Sequence, residues 1–390
     1  METLSKESIC ACALGHIFGY EPLYAFRLVQ ELGCAEAVFS LPGKELNEIL
    51  GPYSKYRDAV SPAALDDAEK ELIRLAGKGC RFLPLTDPAF PDLLRDSSDP
   101  PAGLYYKSVS PPAEIFSAEA SVGVVGTRDI SPYGKDWTVR LVSAMGRCAI
   151  KPCIVSGLAY GVDINAHLAA LNAGLPTIAV LPCGIDEVYP FRHRAAAERI
   201  ASTQGCAIVT DYPPGTAPMA YTFVRRNRII AGLARAVVLV ESKIKGGGLI
   251  TCRLASEYGR DVYAVPGRLD DTRSAGCNML LARKEAEAVF SAEVLCTALG
   301  LGKCTVAAEP ALEEKVREHY SAVPEGELES LCKVAELIRR FRGIDMDEIC
   351  RMTGYPYNEV GRLCYTLEAD GFICTDLLQR CSVNNFGHPG

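Results

Sequence analysis

Hydrophobic positions in the first fifth of the chain recur at helical spacing and are interrupted by short turns. The pattern runs from Ser5 to about Ala76, with breaks at Gly33 and Gly51. Apolar residues three and four apart line one face of a helix. The sequence therefore predicts a small helical domain over residues 1–76.

The central region alternates short apolar runs with helical patterns. Six runs have the length and composition of buried strands: 121–125, 153–156, 177–181, 207–210, 236–241 and 262–265. Strands that alternate with helices predict a parallel, doubly wound α/β sheet, here over residues 77–300. Ligands of such sheets bind at the carboxyl ends of the strands. A further apolar segment, 104–106, is interpreted as an edge strand.

The last quarter of the chain becomes helical again after a charged stretch that contains two prolines. The pattern then follows the order helix, helix, turn at Gly354, helix and ribbon, which is typical of a winged helix. The sequence thus predicts a linker over 301–326, a winged-helix domain over 327–383 and a tail over 384–390.

Composition restricts where a polyanion could bind. The 390 residues are 48% hydrophobic and carry a formal net charge of −7, so a nucleic-acid site must be a local basic patch. The 17 cysteines lie mostly in apolar segments without any C-x-x-C pair, which favours small buried hydrophobic residues such as Cys148, Cys153, Cys206 and Cys252. With no signal peptide and no apolar run of membrane-spanning length, we expect a reducing cytoplasmic compartment.

A dense group of cations precedes an apolar helical run. Helical spacing holds from Phe223 to Leu233, after a rigid proline-rich loop at 213–218. Arg225, Arg226 and Arg228 are therefore predicted near a helix N-terminus, where guanidinium charge and the helix dipole together suit phosphate. The alternative is the solvated basic face of an ordinary surface helix.

Loops at the ends of the predicted strands carry residues suited to close backbone approach. Gly126 allows a tight turn from which Arg128 projects. The next strand ends in small residues whose N–H groups could cradle a phosphate: Ser156, Gly157, Ala159 and Gly161. Asp163 is interpreted as the N-cap of the following helix, and His167 as a packing histidine.

Three consecutive glycines enter another helix, at Gly246, Gly247 and Gly248. Such a run costs conformational entropy, which favours a site that needs close backbone approach or positive φ; a mobile hinge is the alternative. Lys245 and Thr251 flank the run. With Arg128, Arg192 and Arg194, these cations are predicted to form a positive groove at one sheet edge.

Patterns for bond-making chemistry are missing from the sequence. It has no Walker A lysine, no metal-spaced His and Cys, no nucleophile elbow and no dinucleotide fingerprint. Binding without catalysis is therefore predicted, with no catalytic residue, cofactor or metal.

Six motifs resemble the DNA-processing protein A family, called DprA or Smf. They lie at 125–128, 156–163, 212–216, 226–232, 249–251 and 265–267, and their order and spacing make the resemblance specific. It implies an extended Rossmann-like, mostly parallel doubly wound sheet between a SAM-like helical domain and a winged-helix domain. It also implies a homodimer that binds and protects single-stranded DNA without cutting it and loads the RecA recombinase during natural transformation.

Motif matching and the loop analysis together give one set of predicted DNA-binding residues. They are Gly126, Arg128, Ser156, Gly157, Ala159, Gly161, Arg192, Phe223, Arg225, Arg226, Asn227, Arg228, Lys245, Gly246, Gly247, Gly248 and Thr251. The chain departs from the family pattern at Ala220 (usually lysine), Val224 (usually proline) and Gly246 and Gly248 (usually serine). The missing lysine and serine side chains remove potential phosphate partners.

Other interpretations remain open from the sequence. A nucleotide phosphoribohydrolase-like enzyme or nucleotide sensor has a similar sheet, although the glycine run is a poor match to its motif. A third possibility makes the winged helix the main DNA reader, but Arg362 is the only cation of its predicted recognition helix, Tyr357 to Ala369. Six apolar residues are predicted at a dimer interface, with core packing as the alternative: Val262, Tyr263, Val265, Met279, Leu280 and Leu281.

Overall fold

The computed structural model describes residues 4–19, 21–51, 54–56, 58–303, 312–341, 343–376 and 379–383. The chain divides into two compact units, Met1–Thr305 and Val306–Gly390. The helical region predicted over 1–76 thus belongs to the same unit as the sheet. The predicted tail at 384–390 and part of the predicted linker, 304–311, lie outside the described residues.

Five helices precede the sheet: α1 (Lys6–Phe18), α2 (Pro22–Leu32), α3 (Ala35–Ser40), α4 (Gly43–Leu50) and α5 (Pro62–Ala76). The side chain of Ser5 caps α1 by accepting a hydrogen bond from the backbone of Ser8. Gly33 ends α2 in the left-handed conformation, with φ of 87°. Leu14, Phe18 and other apolar side chains of these helices form a local core.

Nine strands of the described residues form one sheet: β1 (Cys80–Pro84), β2 (Gly103–Lys107), β3 (Ser121–Val125), β4 (Cys153–Ser156), β5 (Thr177–Val180), β6 (Ala207–Thr210), β7 (Ala236–Leu239), β8 (Asp261–Ala264) and β9 (Glu287–Ala288). Their order is β1-β2-β6-β5-β4-β3-β7-β8-β9. The strands from β3 to β9 are parallel, whereas β1 and β2 pair antiparallel. The predicted mostly parallel, doubly wound α/β class is confirmed.

Helices cover both faces of the sheet: α6 (Asp92–Arg95), α7 (Pro112–Ile115), α8 (Pro132–Gly146), α9 (Val162–Asn172), α10 (Arg194–Ala201), α11 (Ala220–Leu233), α12 (Gly247–Glu257), α13 (Ala275–Ala282) and α14 (Ala292–Ala298). Alternate residues of β7 face the two layers. Val237 and Leu239 pack in the core that includes Ile229 of α11, whereas Val238 packs in the core that includes Leu141 of α8. Strands buried on both faces explain the continuous apolar runs in the sequence.

Two expectations about the sheet require correction. The segment 104–106 was expected to be an edge strand, but β2 pairs with β1 on one side and β6 on the other. The residues predicted at a dimer interface are largely core: Val262, Tyr263, Val265 and Leu280 are buried. They fill the space between β8, α13 and neighbouring elements, so core packing accounts for them.

The second unit has its own core. Its elements are α15 (Leu312–His319), α16 (Glu325–Arg340), β10 (Ile344–Asp345), α17 (Met346–Thr353), α18 (Tyr357–Ala369), β11 (Ile373–Thr375) and β12 (Arg380–Val383). The strands pair in the order β10-β12-β11. Part of the predicted linker is therefore helix, because α15 buries Val316 in this core. The winged-helix assignment stays a prediction.

Most of the described cysteines are buried, as the sequence predicts. No disulfide joins the described cysteines, and Cys148, Cys153, Cys206 and Cys252 are among the buried ones. No helix in the described ranges is both long and apolar enough to cross a bilayer.

Candidate nucleic-acid interface

The strand order reverses between β3 and β7, which opens a crevice at their carboxyl ends. Backbone bonds draw the two following loops together: Thr127 N donates to Glu241 O at 2.7 Å, and Val240 N donates to Val125 O at 3.0 Å. A parallel sheet brings the carboxyl ends of its central strands to the same edge. We call this the carboxyl edge.

Glycines allow the two loops at the crevice to touch. A Cβ at Gly126 would lie 2.5 Å from a methyl of Val162 and 2.9 Å from Glu241 O. A Cβ at Gly248 would lie 2.7 Å from Leu239 Cδ1 and 3.3 Å from Gly126 Cα. Both glycines are therefore required by contacts inside the protein.

The glycine run forms the start of α12 and has no positive φ. Gly246 approaches Ser242, whose hydroxyl would lie 2.2 Å from an added Cβ, whereas Gly247 faces open space. Close approach thus explains the first and third glycines, and Gly247 leaves its backbone accessible. Of the flanking residues, Lys245 is exposed and Thr251 is buried.

An aromatic and cationic surface lies at the carboxyl edge. The Arg128 guanidinium carbon is 4.5 Å from the centroid of the Phe223 ring, and the Tyr189 ring meets Phe223 edge-on at 5.4 Å between centroids. Arg128 and Tyr189 are exposed and Phe223 is half-buried. We call these three residues the stacking platform. It joins the β3–α8 loop, the segment after β5 and the first turn of α11.

Two more exposed rings lie on the segments that follow β5 and β4. Phe191, two residues after Tyr189, is 75% exposed. Tyr160 is exposed and packs edge-on against His193, with 4.9 Å between ring centroids. Only the cations of 189–194 were predicted at this edge, although two aromatic residues on either side of a proline in a predicted loop were an available signal.

Arg226 was predicted to face the groove, and this prediction is wrong. Its side chain is buried, with 3% exposure. Its guanidinium donates to the carbonyl oxygens of Gly157, at 2.6 Å, and Val180. Burial lowers the pKa of Arg226 to about 10, opposed by the nearby Asp163 carboxylate. Arg226 is therefore an internal support of the β4 and β5 ends.

The Ser156–Gly157 turn is also directed inward. Ser156 Oγ donates to Val124 O at 2.7 Å, and Gly157 N donates to Asp163 Oδ2 at 3.1 Å. The expected free N–H of Gly157 is thus already used. Asp163 lies in the first turn of α9, after Gly161 at the N-cap, so its predicted capping position is wrong. Burial raises the pKa of Asp163.

Gly161 and Ala159 shape the entry to α9. Gly161 has φ of 77°, and a Cβ there would lie 2.1 Å from Thr127 O. Ala159 is half-buried and accepts a hydrogen bond from Ile164 N at 3.1 Å. Gly161 therefore packs the α9 turn against the β3–α8 loop, which carries Arg128.

His167 is buried beneath this turn. Thr177 Oγ1 donates to Ile154 O at 2.7 Å, so it accepts from His167 Nδ1–H at 2.8 Å. His167 Nε2 is buried without a partner among the described residues. Burial and the Arg226 charge lower the pKa of His167 to about 3. The residue is a neutral packing histidine, as predicted, but only one of its ring nitrogens has a hydrogen-bond partner among the described residues.

Arg228 and Arg225 also have partners inside the protein. Arg228 is buried; it pairs with Asp211 and donates to the backbone carbonyl of Asp99, so the prediction that it faces the groove is wrong. Arg225 is half-buried and donates to Gly19 O at 2.6 Å, which ties α11 to the end of α1.

The side chain of Asn227, on α11, reaches from that helix to the glycine run. Its Nδ2 donates to Gly247 O at 3.5 Å, and its Oδ1 accepts from Arg226 Nε at 3.3 Å. The amide is half-buried. It therefore links the buried arginine to the accessible glycine.

Exposed cations remain along the carboxyl edge. Arg128, Arg192 and Lys245 are exposed as expected, whereas Arg194 pairs with Glu198 at 3.0 Å. The exposed Lys243 was missed, although it lies two residues after the end of a predicted strand. Of the predicted groove, Arg128, Arg192 and Lys245 therefore stay exposed, Lys243 is added, and Arg226 and Arg228 are buried.

Comparisons with known proteins cover most of the first unit. Residues 81–300 match the profile of the family described as DNA recombination-mediator protein A. Protein Smf of Synechocystis is 40% identical over 223 residues, 57% of this chain and 55% of that protein. DNA processing protein DprA of Bacillus subtilis is 34% identical over 245 residues, 61% of this chain and 80% of that protein.

A solved structure has a similar fold. The X-ray structure of DNA processing protein A from Streptococcus pneumoniae aligns with a TM-score of 0.63 at 28% identity. The alignment covers 76% of this chain and 98% of that one. The match to the Synechocystis protein, by contrast, spans only about half of that relative's length.

Proposed function

Because the chain belongs to the DNA recombination-mediator protein A family, we propose that it is a non-enzymatic protein that binds single-stranded DNA at its carboxyl edge. The observation that carries the proposal is the stacking platform, where Arg128 lies 4.5 Å from the Phe223 ring centroid. Bases splayed from a single strand stack on such surfaces, whereas a duplex keeps its base faces covered.

Exposed cations at the carboxyl edge would bind the phosphates of the same strand. Arg192, Lys243 and Lys245 are exposed on loops that follow strands ending at the same edge. On a chain with a net charge of −7, such a patch supports local rather than general attraction of nucleic acid. Proteins that bind single strands with little sequence preference use the same arrangement, in which aromatic rings stack on the bases and flanking cations bind the phosphates.

The state of two acidic side chains supports binding without bond-making. Glu241, at the end of β7, is buried and accepts from Ser131 N at 2.8 Å and Ser131 Oγ at 2.6 Å. Asp163 is buried and accepts from Gly157 N. A general acid or base must reach its substrate, and both carboxylates are already held by the fold. Release of adenine from adenosine monophosphate would overturn this part of the proposal.

The binding experiment compares variants of the platform with a matched arginine elsewhere. We expect Phe223→Ala to weaken oligothymidine binding by about 5- to 150-fold, corresponding to a stacking contribution of about 1–3 kcal/mol. Arg128→Ala should also weaken oligothymidine binding. Arg235→Ala is the control, because Arg235 is exposed and immediately precedes β7, at the opposite edge of the sheet. Affinities equal to that control would overturn the proposed site.

We extend the proposal to the cell. The protein protects incoming single strands in the cytoplasm and loads the RecA recombinase during natural transformation; the family's description as a recombination mediator supports this role. The test is strand exchange with the cognate RecA on strands coated with a single-strand binding protein. A rate that does not increase when the protein is added would refute the loading role.

A homodimer completes the proposed function. Two patches in a symmetric dimer would hold one strand at high effective concentration, which offsets the few cations of each patch. Since the previously expected interface is core, we place the contact at the exposed apolar surface beyond β8, where Leu269 is 95% exposed. Light scattering should show a dimer that Leu269→Glu dissociates. A monomeric wild type at tens of micromolar would remove the dimer.

A further inference from the structure

A cluster of metal-ligating side chains lies between the N-terminal helices and the sheet, apart from the proposed DNA site. Cys12 and His16 are one turn apart on α1, Glu71 lies on α5, and Tyr105 lies on β2. Cys12, His16 and Glu71 each offer one ligand atom, and these atoms lie within 4.8 Å of one another. Three separate elements of the fold thus converge on one point.

The Glu71 carboxylate is the centre of this cluster. Its Oε1 lies 3.1 Å from His16 Nε2, 3.6 Å from Cys12 Sγ and 2.8 Å from the Tyr105 hydroxyl. The hydroxyl is 3.3 Å from Cys12 Sγ and 3.5 Å from His16 Nε2. Tyr105 therefore brings a fourth donor within 3.5 Å of the other three.

We propose that this cluster is a structural zinc site, with Cys12, His16 and Glu71 as ligands and the Tyr105 hydroxyl in the fourth position. Zinc bonds of about 2.0–2.3 Å in a tetrahedron place ligand atoms roughly 3.3–3.7 Å apart. The five distances given above, 2.8–3.6 Å, overlap that range, and the sixth pair, Cys12 Sγ and His16 Nε2, lies within 4.8 Å.

Charge supports a divalent ion. Coordination removes the Cys12 proton to solvent, so the thiolate and the Glu71 carboxylate supply two negative charges against the two positive charges of Zn²⁺. Neutral His16 and Tyr105 complete the set. Burial makes the Cys12 thiolate unfavourable without a cation, since the side chain has 0% exposure. The bound ion and its ligands would be neutral overall.

The position of the cluster indicates what the ion would do. It would connect α1 and α5 to β2, the strand that joins the β1 edge to the rest of the sheet. The far end of α1 accepts the Arg225 hydrogen bond at Gly19. A bound ion would therefore stabilise the helical region against the sheet, with no part in chemistry.

The experiment uses the full chain, stripped with a chelator and titrated with Co²⁺ alone. We expect one Co²⁺ per chain, tetrahedral absorption in the visible range and a thiolate-to-cobalt charge-transfer band in the near ultraviolet. Zn²⁺ should displace the cobalt and raise the melting temperature. Failure to bind either ion at micromolar concentrations would overturn the proposal.

Variants distinguish this cluster from adventitious binding to other thiols. His16→Gln should fold, because the side chain is 39% exposed, and should lose at least about tenfold in Co²⁺ affinity, since outer-shell losses already cost that much. Cys12→Ser should abolish the charge-transfer band, while Cys34→Ser, at a half-buried thiol outside the cluster, should keep it. Unchanged affinity in His16→Gln, or a band that persists in Cys12→Ser, would refute the site.

Discussion

The guanidinium of Arg226 donates a 2.6 Å hydrogen bond to the backbone carbonyl of Gly157. A second bond reaches the carbonyl of Val180, so one side chain of α11 joins the ends of β4 and β5. A Cβ at Gly157 would lie 2.4 Å from the guanidinium nitrogens. The buried Arg226 side chain thus fixes the position of the loop that follows β4.

Arg226→Ala should therefore destabilise the fold. It leaves two carbonyls unpaired and the buried Asp163 without its neighbouring charge, and breaking such a buried arrangement costs about 3–5 kcal/mol. Urea unfolding measures the loss. Arg128→Ala is the control, because this exposed side chain should change the free energy of unfolding by no more than about 0.5 kcal/mol. Equal losses in both variants would contradict the internal role.

Alanine should destabilise the fold at the third glycine of the run, Gly248, but have little effect on stability at the second, Gly247. Gly248→Ala forces a methyl against Leu239 and the Gly126 backbone, which should cost about 1–3 kcal/mol in the free energy of unfolding. Gly247→Ala meets open space and should leave stability within about 1 kcal/mol. If DNA approaches the Gly247 backbone, that variant should still bind oligothymidine more weakly. Unchanged binding would exclude this approach.

Acid should weaken the fold through His167. Its pKa is about 3 when folded, because of burial, against an ordinary value of 6.5, so the unfolded chain binds the extra proton between these values. Stability is therefore lost as pH falls below 6.5. The contribution between pH 7 and pH 5 is about 2 kcal/mol. Urea unfolding at both pH values should show a smaller difference for His167→Gln than for wild type; an identical difference would refute the assignment.

The salt dependence of DNA affinity should distinguish cations at the carboxyl edge from cations at the opposite edge of the sheet. Each lost phosphate contact lowers the log–log slope for a single strand by about 0.7, so Lys245→Ala should show this reduction. Arg235→Ala should keep the wild-type slope. Filter binding at several salt concentrations gives the slopes, and a flattened slope in both variants would show that the phosphates are not confined to the carboxyl edge.

Single strands should bind more tightly than duplex of equal length. The stacking platform offers Phe223 and Arg128 to base faces that a duplex keeps stacked. Competition between labelled oligothymidine and blunt duplex measures the preference. Equal affinities would favour a reader elsewhere, such as the second unit.

The central strands could be predicted closely from the sequence. Runs such as Ser121–Val125 and Ala207–Thr210 have the predicted bounds, because strands covered on both faces are continuously apolar. The two-residue β9 was not predicted, since so short a strand has no period to detect. Placement of 104–106 inside the sheet depended on a partner, β6, about a hundred residues away.

The candidate site was harder to predict than the fold. A dense run of arginines shows that cations are near one another, but not which of them are buried. Arg228 turns inward because it pairs with Asp99 and Asp211, and both of these residues lie on other segments. Tyr189 joins Phe223 only through folding. Partner groups distant in sequence decide both outcomes.

The two margins of the sheet are poor templates for further strands. At one, β1 ends at Pro84, which has no amide hydrogen to donate, and at the other β9 is only two residues long and exposes Glu287. Both are features that discourage edge-to-edge polymerisation. Open-ended growth through the backbone is therefore disfavoured. If the protein binds DNA and self-associates as proposed, its copies should associate through side chains and form closed assemblies instead of fibres.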